Sequence, residues 1–161
     1  MTRCYIGVDV VEIQRFRILP PSKHPRFYKR VFDKYEFKHC IGRSDPFPHF
    51  AGIFAAKEAV FKAINDILPL QFTQISIRYD INGRPIVWIN EAEFSAQLEK
   101  YWKNQNLEVQ VSIAHSSDLA VAWAITFSTN SGYDLVEGFN KFKTELQREV
   151  NDVFVEHRCV Q

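Results

Sequence analysis

The clearest helix in the sequence is predicted over residues Phe47–Asp66, which read FPHFAGIFAAKEAVFKAIND. Five alanines in it favour a helix, and Pro48 suits the first turn of that helix. Every fourth position lies on roughly one face, which carries Phe50, Phe54, Glu58 and Lys62. The predicted helix therefore presents a carboxylate and an amine beside aromatic and small residues, which leaves room for a ligand.

Short apolar stretches on both sides of this helix predict strands. Tyr5–Ile13 is rich in Ile and Val and predicts a buried strand that ends near Asp9. Later strands are predicted over four ranges: Thr73–Tyr79, Pro85–Ile89, Leu107–Ile113 and Leu119–Phe127. An Asn-Gly pair, Asn82-Gly83, marks a hairpin between the first two of them. This order predicts an α+β fold, a mainly antiparallel sheet packed against a long helix.

Three further helices are predicted outside this framework. Asp33 with Glu36 forms a capping-box pattern, so a short helix runs to about Cys40. Helical spacing of apolar residues predicts a helix over Glu91–Lys103 and an amphipathic C-terminal helix over Leu135–Val155. We expect one domain over residues 1–127, followed by a polar linker and this extra C-terminal helix over residues 128–161.

Composition excludes several classes of protein. The chain has 161 residues and 20 basic against 19 acidic side chains, so its overall charge favours neither nucleic acid nor a membrane surface. Three scattered cysteines without CxxC spacing suit a reducing compartment. The longest apolar run, Leu119–Phe127, is far shorter than the ~20 residues of a membrane span. We expect a cytoplasmic protein that binds neither nucleic acid nor membrane.

Two acids are candidates for a metal site. Asp9 follows an apolar strand, where a carboxylate serves either as a helix cap or as a ligand, and both readings stay open. Glu58 and Lys62 have the spacing of an ordinary surface ion pair, but they share a face lined by small residues. Two carboxylates, with waters and substrate phosphates, can hold Mg²⁺, and Lys62 would then face a phosphate.

Two other features carry weaker signals. His115 follows an apolar strand, where a histidine is more often a turn or core residue than a site residue. The range Arg15–Arg30 holds six basic residues and no acid, among them Arg17 and Arg26. Such a run is usually a solvated face, but it can also dock an acidic partner and accelerate the encounter.

Four motifs together resemble the holo-acyl-carrier-protein synthases. The first is Ile6-Gly7-Val8-Asp9-Val10-Val11-Glu12-Ile13, similar to G-x-D-[IV]-V-E-[IL]. The second is Phe54-Ala55-Ala56-Lys57-Glu58-Ala59-Val60-Phe61-Lys62-Ala63, similar to F-A-A-K-E-A-x-x-K-A. The third and fourth are Asp80-Ile81-Asn82-Gly83-Arg84-Pro85 and Val111-Ser112-Ile113-Ala114-His115-Ser116. They occur in the family's order and at its spacing across about residues 3 to 127.

The resemblance implies transfer of 4′-phosphopantetheine from coenzyme A to a serine of an acidic apo-acyl carrier protein, with release of adenosine 3′,5′-bisphosphate. It further implies the family's 4′-phosphopantetheinyl transferase fold and a homotrimer with sites between subunits. By family register, Asp9 and Glu58 bind Mg²⁺ and Lys62 contacts coenzyme A. Glu58, Lys62 and His115 form the catalytic set, and the role of His115 is open between substrate positioning and proton handling. Arg15, with Arg17 and Arg26, is expected to dock the carrier.

Two departures from the family pattern concern coenzyme A. Ile53 stands where the family has an arginine, and the family's G-T-G turn after the helix is absent. We expect Arg43 or Lys57 to compensate, with Phe54 beside the ligand. The alternatives are a catalytically idle module that binds carrier proteins, and a metal-dependent phosphodiester hydrolase. The sequence leaves open whether the carrier serves fatty-acid or polyketide synthesis.

Overall fold

A long helix and a three-stranded antiparallel sheet form the centre of the fold. The computed structural model describes residues 2–65, 70–94 and 106–129. Its strands are β1 (Thr2–Glu12), β2 (Ile75–Tyr79), β3 (Pro85–Ile89), β4 (Asn106–His115) and β5 (Leu119–Thr129). Its α-helices are α1 (Ile13–Ile18), α2 (Pro25–Val31), α3 (Lys34–Ile41) and α4 (Pro46–Ile64), with short 3-10 turns at Phe72–Gln74 and Glu91–Glu93.

The main sheet has the strand order β1-β5-β4, and β2 pairs with β3 in a separate hairpin. All of these pairings are antiparallel. Asp80 Oδ1 accepts hydrogen bonds from the backbone N–H groups of Asn82 and Arg84, and Gly83 has a φ of 78°, so the hairpin turn forms where Asn-Gly predicts it. Helix α4 packs against β1 and β5. The α+β prediction is confirmed.

Close packing of β1 on α4 depends on Gly7. A Cβ at Gly7 would lie 1.9 Å from the carbonyl oxygen of Ala59, so glycine alone fits where the strand backbone meets the helix. Gly7, Asp9 and Val11 alternate along β1 and face α4, whereas Ile6 and Val8 point to the opposite face of the sheet. This geometry brings Asp9 over the last turns of α4.

A buried ion pair joins α3 to α4. Lys57 Nζ lies 3.0 Å from Oε2 of Glu36, both side chains are buried, and the same amine donates to the carbonyl oxygen of Val31. Glu36 also accepts hydrogen bonds from the backbone N–H groups of Ile77 and Asp33, and Asp33 completes the predicted capping box. Burial raises the pKa of Glu36 in spite of the Lys57 charge.

Several element boundaries differ from the sequence predictions. Strand β1 continues past Asp9 to Glu12, because its whole length pairs with β5. Strand β5 continues through Ser128 and Thr129, two residues beyond the predicted domain boundary. The helix predicted over Glu91–Lys103 is wrong at its start, since a 3-10 turn ends at Glu93 and Phe94 is extended. Residues 95–105, and the linker and C-terminal helix predicted beyond Thr129, lie outside the described residues.

Candidate active site

Asp9 and Lys62 meet where β1 crosses the end of α4. Lys62 Nζ lies 2.7 Å from Asp9 Oδ1 and 3.0 Å from the carbonyl oxygen of Val8. The Lys62 side chain is 48% exposed and that of Asp9 is 18% exposed, so the pair opens to solvent on the lysine side. The Asp9 side chain therefore faces a cation, and Glu12 rather than Asp9 precedes α1 as its N-cap.

Glu58 lies on α4 one turn before Lys62, and its carboxylate is half-buried. Burial raises the pKa of Glu58, the negative charge of Asp9 raises it further, and the positive charge of Lys62 opposes both effects. The structure thus brings Asp9, Glu58 and Lys62 together, as predicted. Two carboxylates that repel each other are stabilised by a shared cation.

These residues suit Mg²⁺ held in part by substrate. In the described ranges, no cluster of three or more His, Cys, Asp and Glu residues is arranged to hold a metal. Asp9 and Glu58 would supply two oxygen ligands, and Mg²⁺ commonly completes its shell with waters and substrate phosphates. The donor set therefore fits Mg²⁺ as an ion bound together with a phosphorylated substrate.

His115 does not join this cluster in the structure. It ends β4, whereas Asp9 lies opposite Ala122 of β5 and Ala122 lies opposite Ile113 of β4. Two strand spacings and two residues along β4 then separate the backbones of Asp9 and His115, about 12 Å. The exposed His115 ring lies beside that of His49, with 5.9 Å between the ring centroids.

The structure places the residues that are expected to compensate for the missing arginine in different surroundings. Lys57 is 1% exposed and its amine is bound by Glu36 and Val31, so the prediction that it contacts coenzyme A is wrong. Arg43 is exposed, and its Nη2 lies 3.4 Å from Nε2 of His39. Phe54 is partly buried in an aromatic cluster, and its ring centroid lies 5.8 Å from that of Phe16.

The predicted docking arginines lie on α1 and α2 and are exposed. Arg15 borders an apolar groove of about 50 Å³ whose other lining residues are Phe16, Leu19, Phe27 and Phe54. Arg26 borders a second groove of about 620 Å³, together with Arg30 and Phe72. Arg17 binds Asp45 and lies over the Phe47 ring, so its charge is already partly satisfied within the chain.

Sequence reasoning missed two histidines beside His115. His49 lies on the first turns of α4 and His39 on α3, and their ring centroids are 6.1 Å apart. His39 also stacks on Tyr79, with 4.3 Å between the ring centroids. No spacing rule links positions on three separate elements, so the sequence carried no signal for this cluster.

The family model of the 4′-phosphopantetheinyl transferase superfamily matches residues 5–124 of this chain. The chain belongs to this superfamily. A holo-[acyl-carrier-protein] synthase from Alkaliphilus metalliredigens is 38% identical over 122 residues, which are 74% of this chain and 95% of the relative. The synthase from Caldanaerobacter subterraneus subsp. tengcongensis is 32% identical over 122 residues, 75% of this chain and 92% of that protein.

Solved structures agree with membership of the transferase superfamily. An ACPS–CoA complex from Chronobacterium ammoniagenes superposes with a TM-score of 0.63 at 28% sequence identity. The match covers 79% of this chain and 98% of the chain in that complex. A holo-(acyl-carrier-protein) synthase from Bacillus anthracis in complex with CoA (3′,5′-ADP) gives a TM-score of 0.59, also at 28% identity, over 78% and 96% of the two chains. The phosphopantetheinyl transferase fold is therefore confirmed for this chain.

Proposed function

We propose that this chain is a holo-[acyl-carrier-protein] synthase, which transfers 4′-phosphopantetheine from coenzyme A to a serine of an apo-acyl carrier protein. Named synthases at 30% identity or more and two coenzyme A complexes of the same fold support the reaction. The single observation that carries the proposal is the cluster of Asp9, Glu58 and Lys62 near the C-terminal end of α4.

The nucleophile is the serine hydroxyl of the carrier, so the chain needs no nucleophile of its own. The serine oxygen attacks the β-phosphorus of the coenzyme A pyrophosphate, the bond from that phosphorus to the bridging oxygen breaks, and adenosine 3′,5′-bisphosphate leaves. Such phosphoryl transfer depends mainly on positioning and charge neutralisation. Glu58 is our candidate to accept the serine proton, because its carboxylate lies in the cluster proposed to face the pyrophosphate and a base must lie within hydrogen-bond reach of the hydroxyl.

Asp9 and Glu58 are the proposed ligands of Mg²⁺, which when bound neutralises negative charge on the pyrophosphate. Lys62 is the proposed phosphate contact of the chain itself. Its amine is about half exposed beside Asp9, so it can turn from the carboxylate toward an incoming phosphate. When Lys62 changes partner in this way, its positive charge stays between the two carboxylates and the substrate phosphate.

A homotrimer would complete the site. The sheet face opposite α4 exposes apolar side chains of β1 and β5: Ile6 62%, Val8 46%, Val10 55% and Trp123 55%. Contiguous apolar surface of this kind marks an interaction site, and we propose that it joins copies of the chain. About 12 Å separates the backbones of His115 and Asp9 in one sheet, so we propose that His115 serves the acids of a neighbouring copy.

Arg15 and Arg26 are the proposed docking residues for the acidic carrier, with Arg17 contributing once it leaves Asp45. The grooves beside them combine apolar walls with exposed guanidinium groups. Cys4 and Cys40 are free thiols, which supports a reducing, cytoplasmic location. None of the described helices has the length and apolar character needed to cross a membrane.

The decisive experiment incubates the chain with coenzyme A, Mg²⁺ and an apo-carrier, and measures the carrier mass. We expect the mass of one phosphopantetheine group to be added, and EDTA to abolish the addition. An unmodified mass with fatty-acid and polyketide carriers alike would contradict the proposal.

The alternative of an idle carrier-binding module has one observation in its favour. Ile53 and Lys57 are both buried, so neither position offers a cation to coenzyme A. Calorimetry separates the two functions, because the idle module would bind carrier without binding coenzyme A, whereas the synthase binds both.

A further inference from the structure

Three imidazoles form a row at the end of α4 that lies opposite to the acids. The ring centroids of His39 and His49 are 6.1 Å apart, and those of His49 and His115 are 5.9 Å apart. Arg43 extends the row, with Nη2 3.4 Å from Nε2 of His39. Four potential cations from α3, α4, β4 and the loop after α3 thus share one surface.

Few negative charges balance this surface. The charged and titratable groups around His49 and His39 come from every packed element: Tyr35, Tyr79, Arg43, Asp45 and His115. Asp45 is the acid that acts on His49, and its carboxylate is bound by Arg17. Burial lowers the pKa values of His39 and His49, and the Arg43 charge lowers both further.

The row fits an anion better than a metal. In the described part of the chain, no group of three metal-binding side chains converges on a common point, these histidines included. An adjacent guanidinium repels a metal ion but assists an anion. Since Ile53 and Lys57 are buried, His49 is the described side chain in the first three turns of α4 that can carry positive charge at the surface.

We propose that His39 and His49 contact phosphate groups of coenzyme A beside Arg43 and His115, and that both imidazoles take up protons on binding, so coenzyme A affinity rises as pH falls from 8 to 6. This inference rests on the proposed function. A bound phosphate favours the protonated imidazole, and by linkage a lower pH then favours the bound phosphate.

Calorimetry with coenzyme A tests the proposal at pH 6 and pH 8, in two buffers of different ionisation enthalpy that report proton uptake. His49→Gln and His39→Gln should each lose about tenfold in affinity at pH 6, the size of one hydrogen bond to a charged group. Both variants should change little at pH 8 and should take up fewer protons than the parent chain. His24→Gln, which removes an exposed histidine outside the row, is the matched control and should behave as the parent chain.

His49→Arg distinguishes a phosphate contact from a structural role. A permanent guanidinium should keep coenzyme A binding at pH 8 while abolishing the uptake of that proton. 3′-Dephospho-coenzyme A identifies the phosphate concerned. Loss of the His49 effect assigns the 3′-phosphate, and its persistence assigns the pyrophosphate held by the acids of a neighbouring copy, each supporting the proposal. Unchanged affinity and proton uptake in both glutamine variants would overturn it. Failure of the parent chain to bind coenzyme A at either pH would instead overturn the proposed function.

Discussion

The ammonium group of Lys62 lies 2.7 Å from Oδ1 of Asp9, although 53 positions separate the two residues in the chain. The contact exists because Gly7 lets β1 approach the backbone of α4, which places the next inward-facing residue of the strand above the last turns of the helix. The lysine thereby holds the acid whose negative charge raises the pKa of Glu58. Charge balance at this point therefore governs the proposed chemistry.

Removing either acid should abolish transfer without unfolding the chain. Asp9→Ala and Glu58→Ala each remove a proposed Mg²⁺ ligand, and Glu58→Ala also removes the candidate base. We expect carrier modification, followed by mass spectrometry, to fall by at least about 100-fold, the lower range for loss of a general base. Glu12→Ala, an exposed acid at the end of the same strand, is the control and should retain activity. Activity within a few fold of the parent in both variants would contradict the assignment.

Replacing Lys62 should change the affinities for metal and for coenzyme A in opposite directions. Lys62→Met removes the cation that competes for Asp9, so Mg²⁺ alone should bind several-fold more tightly. Coenzyme A should bind more weakly, because the proposed phosphate contact is lost. Calorimetry with each ligand measures both effects, and Lys38→Met on α3 is a control for the loss of one surface charge. Parallel losses of both affinities would show that Lys62 instead supports the fold of the site.

Local signals made much of the fold predictable. The alanines of α4, the Asn82-Gly83 turn, and the Asp33 cap with Glu36 act through the backbone within a few residues, and the structure contains all three features. Asp9, Glu58 and Lys62 could be grouped because their motifs resemble those of a family. Their mutual distances could not be predicted, since they depend on how closely β1 packs on α4.

Long-range packing explains the errors. Lys57 belongs to the motif that also contains Glu58, but its neighbour is Glu36, 21 positions earlier, and the sequence does not show which face of α4 packs against α3. His49 was missed for a related reason, because its contact with His115 depends on where β4 ends beside α4.

Reversing the charge of Arg15 should weaken carrier recognition more than catalysis. Arg15 is exposed beside an apolar groove and does not contact the acid cluster. Arg15→Glu should raise KM for the carrier by about tenfold, or about 1.4 kcal/mol, mainly through slower association. The value of kcat and the KM for coenzyme A should change little, and Lys38→Glu should leave all three constants near those of the parent. An unchanged carrier KM would remove Arg15 from the docking surface.

Breaking the buried pair should destabilise the chain strongly. Lys57→Met keeps most of the side-chain volume but leaves the Glu36 charge buried without its partner, which costs about 3–5 kcal/mol. Adding Glu36→Gln should restore part of the loss, because a neutral amide oxygen can still accept the backbone N–H groups of Ile77 and Asp33. Urea unfolding measures the free energy of each variant. A double variant less stable than Lys57→Met would show that the amide cannot replace the carboxylate.

Acidification should reduce stability through the histidine row. The folded-state pKa values of His39 and His49 lie below the ordinary value of about 6.5, so at these two residues the unfolded chain binds more protons than the folded chain as pH falls from 7.5 to 5.5. The contribution of these residues is thus complete above pH 6.5 and is lost on acidification. The raised pKa values of Glu36 and Glu58 act in the opposite direction, because protonation favours the folded state there.

The test is therefore the difference between the parent and His39→Gln/His49→Gln in urea unfolding at both pH values. The double variant should lose less free energy of unfolding than the parent on acidification, whereas His24→Gln should match the parent. Equal losses in the parent and the double variant would show that the row does not resist protonation.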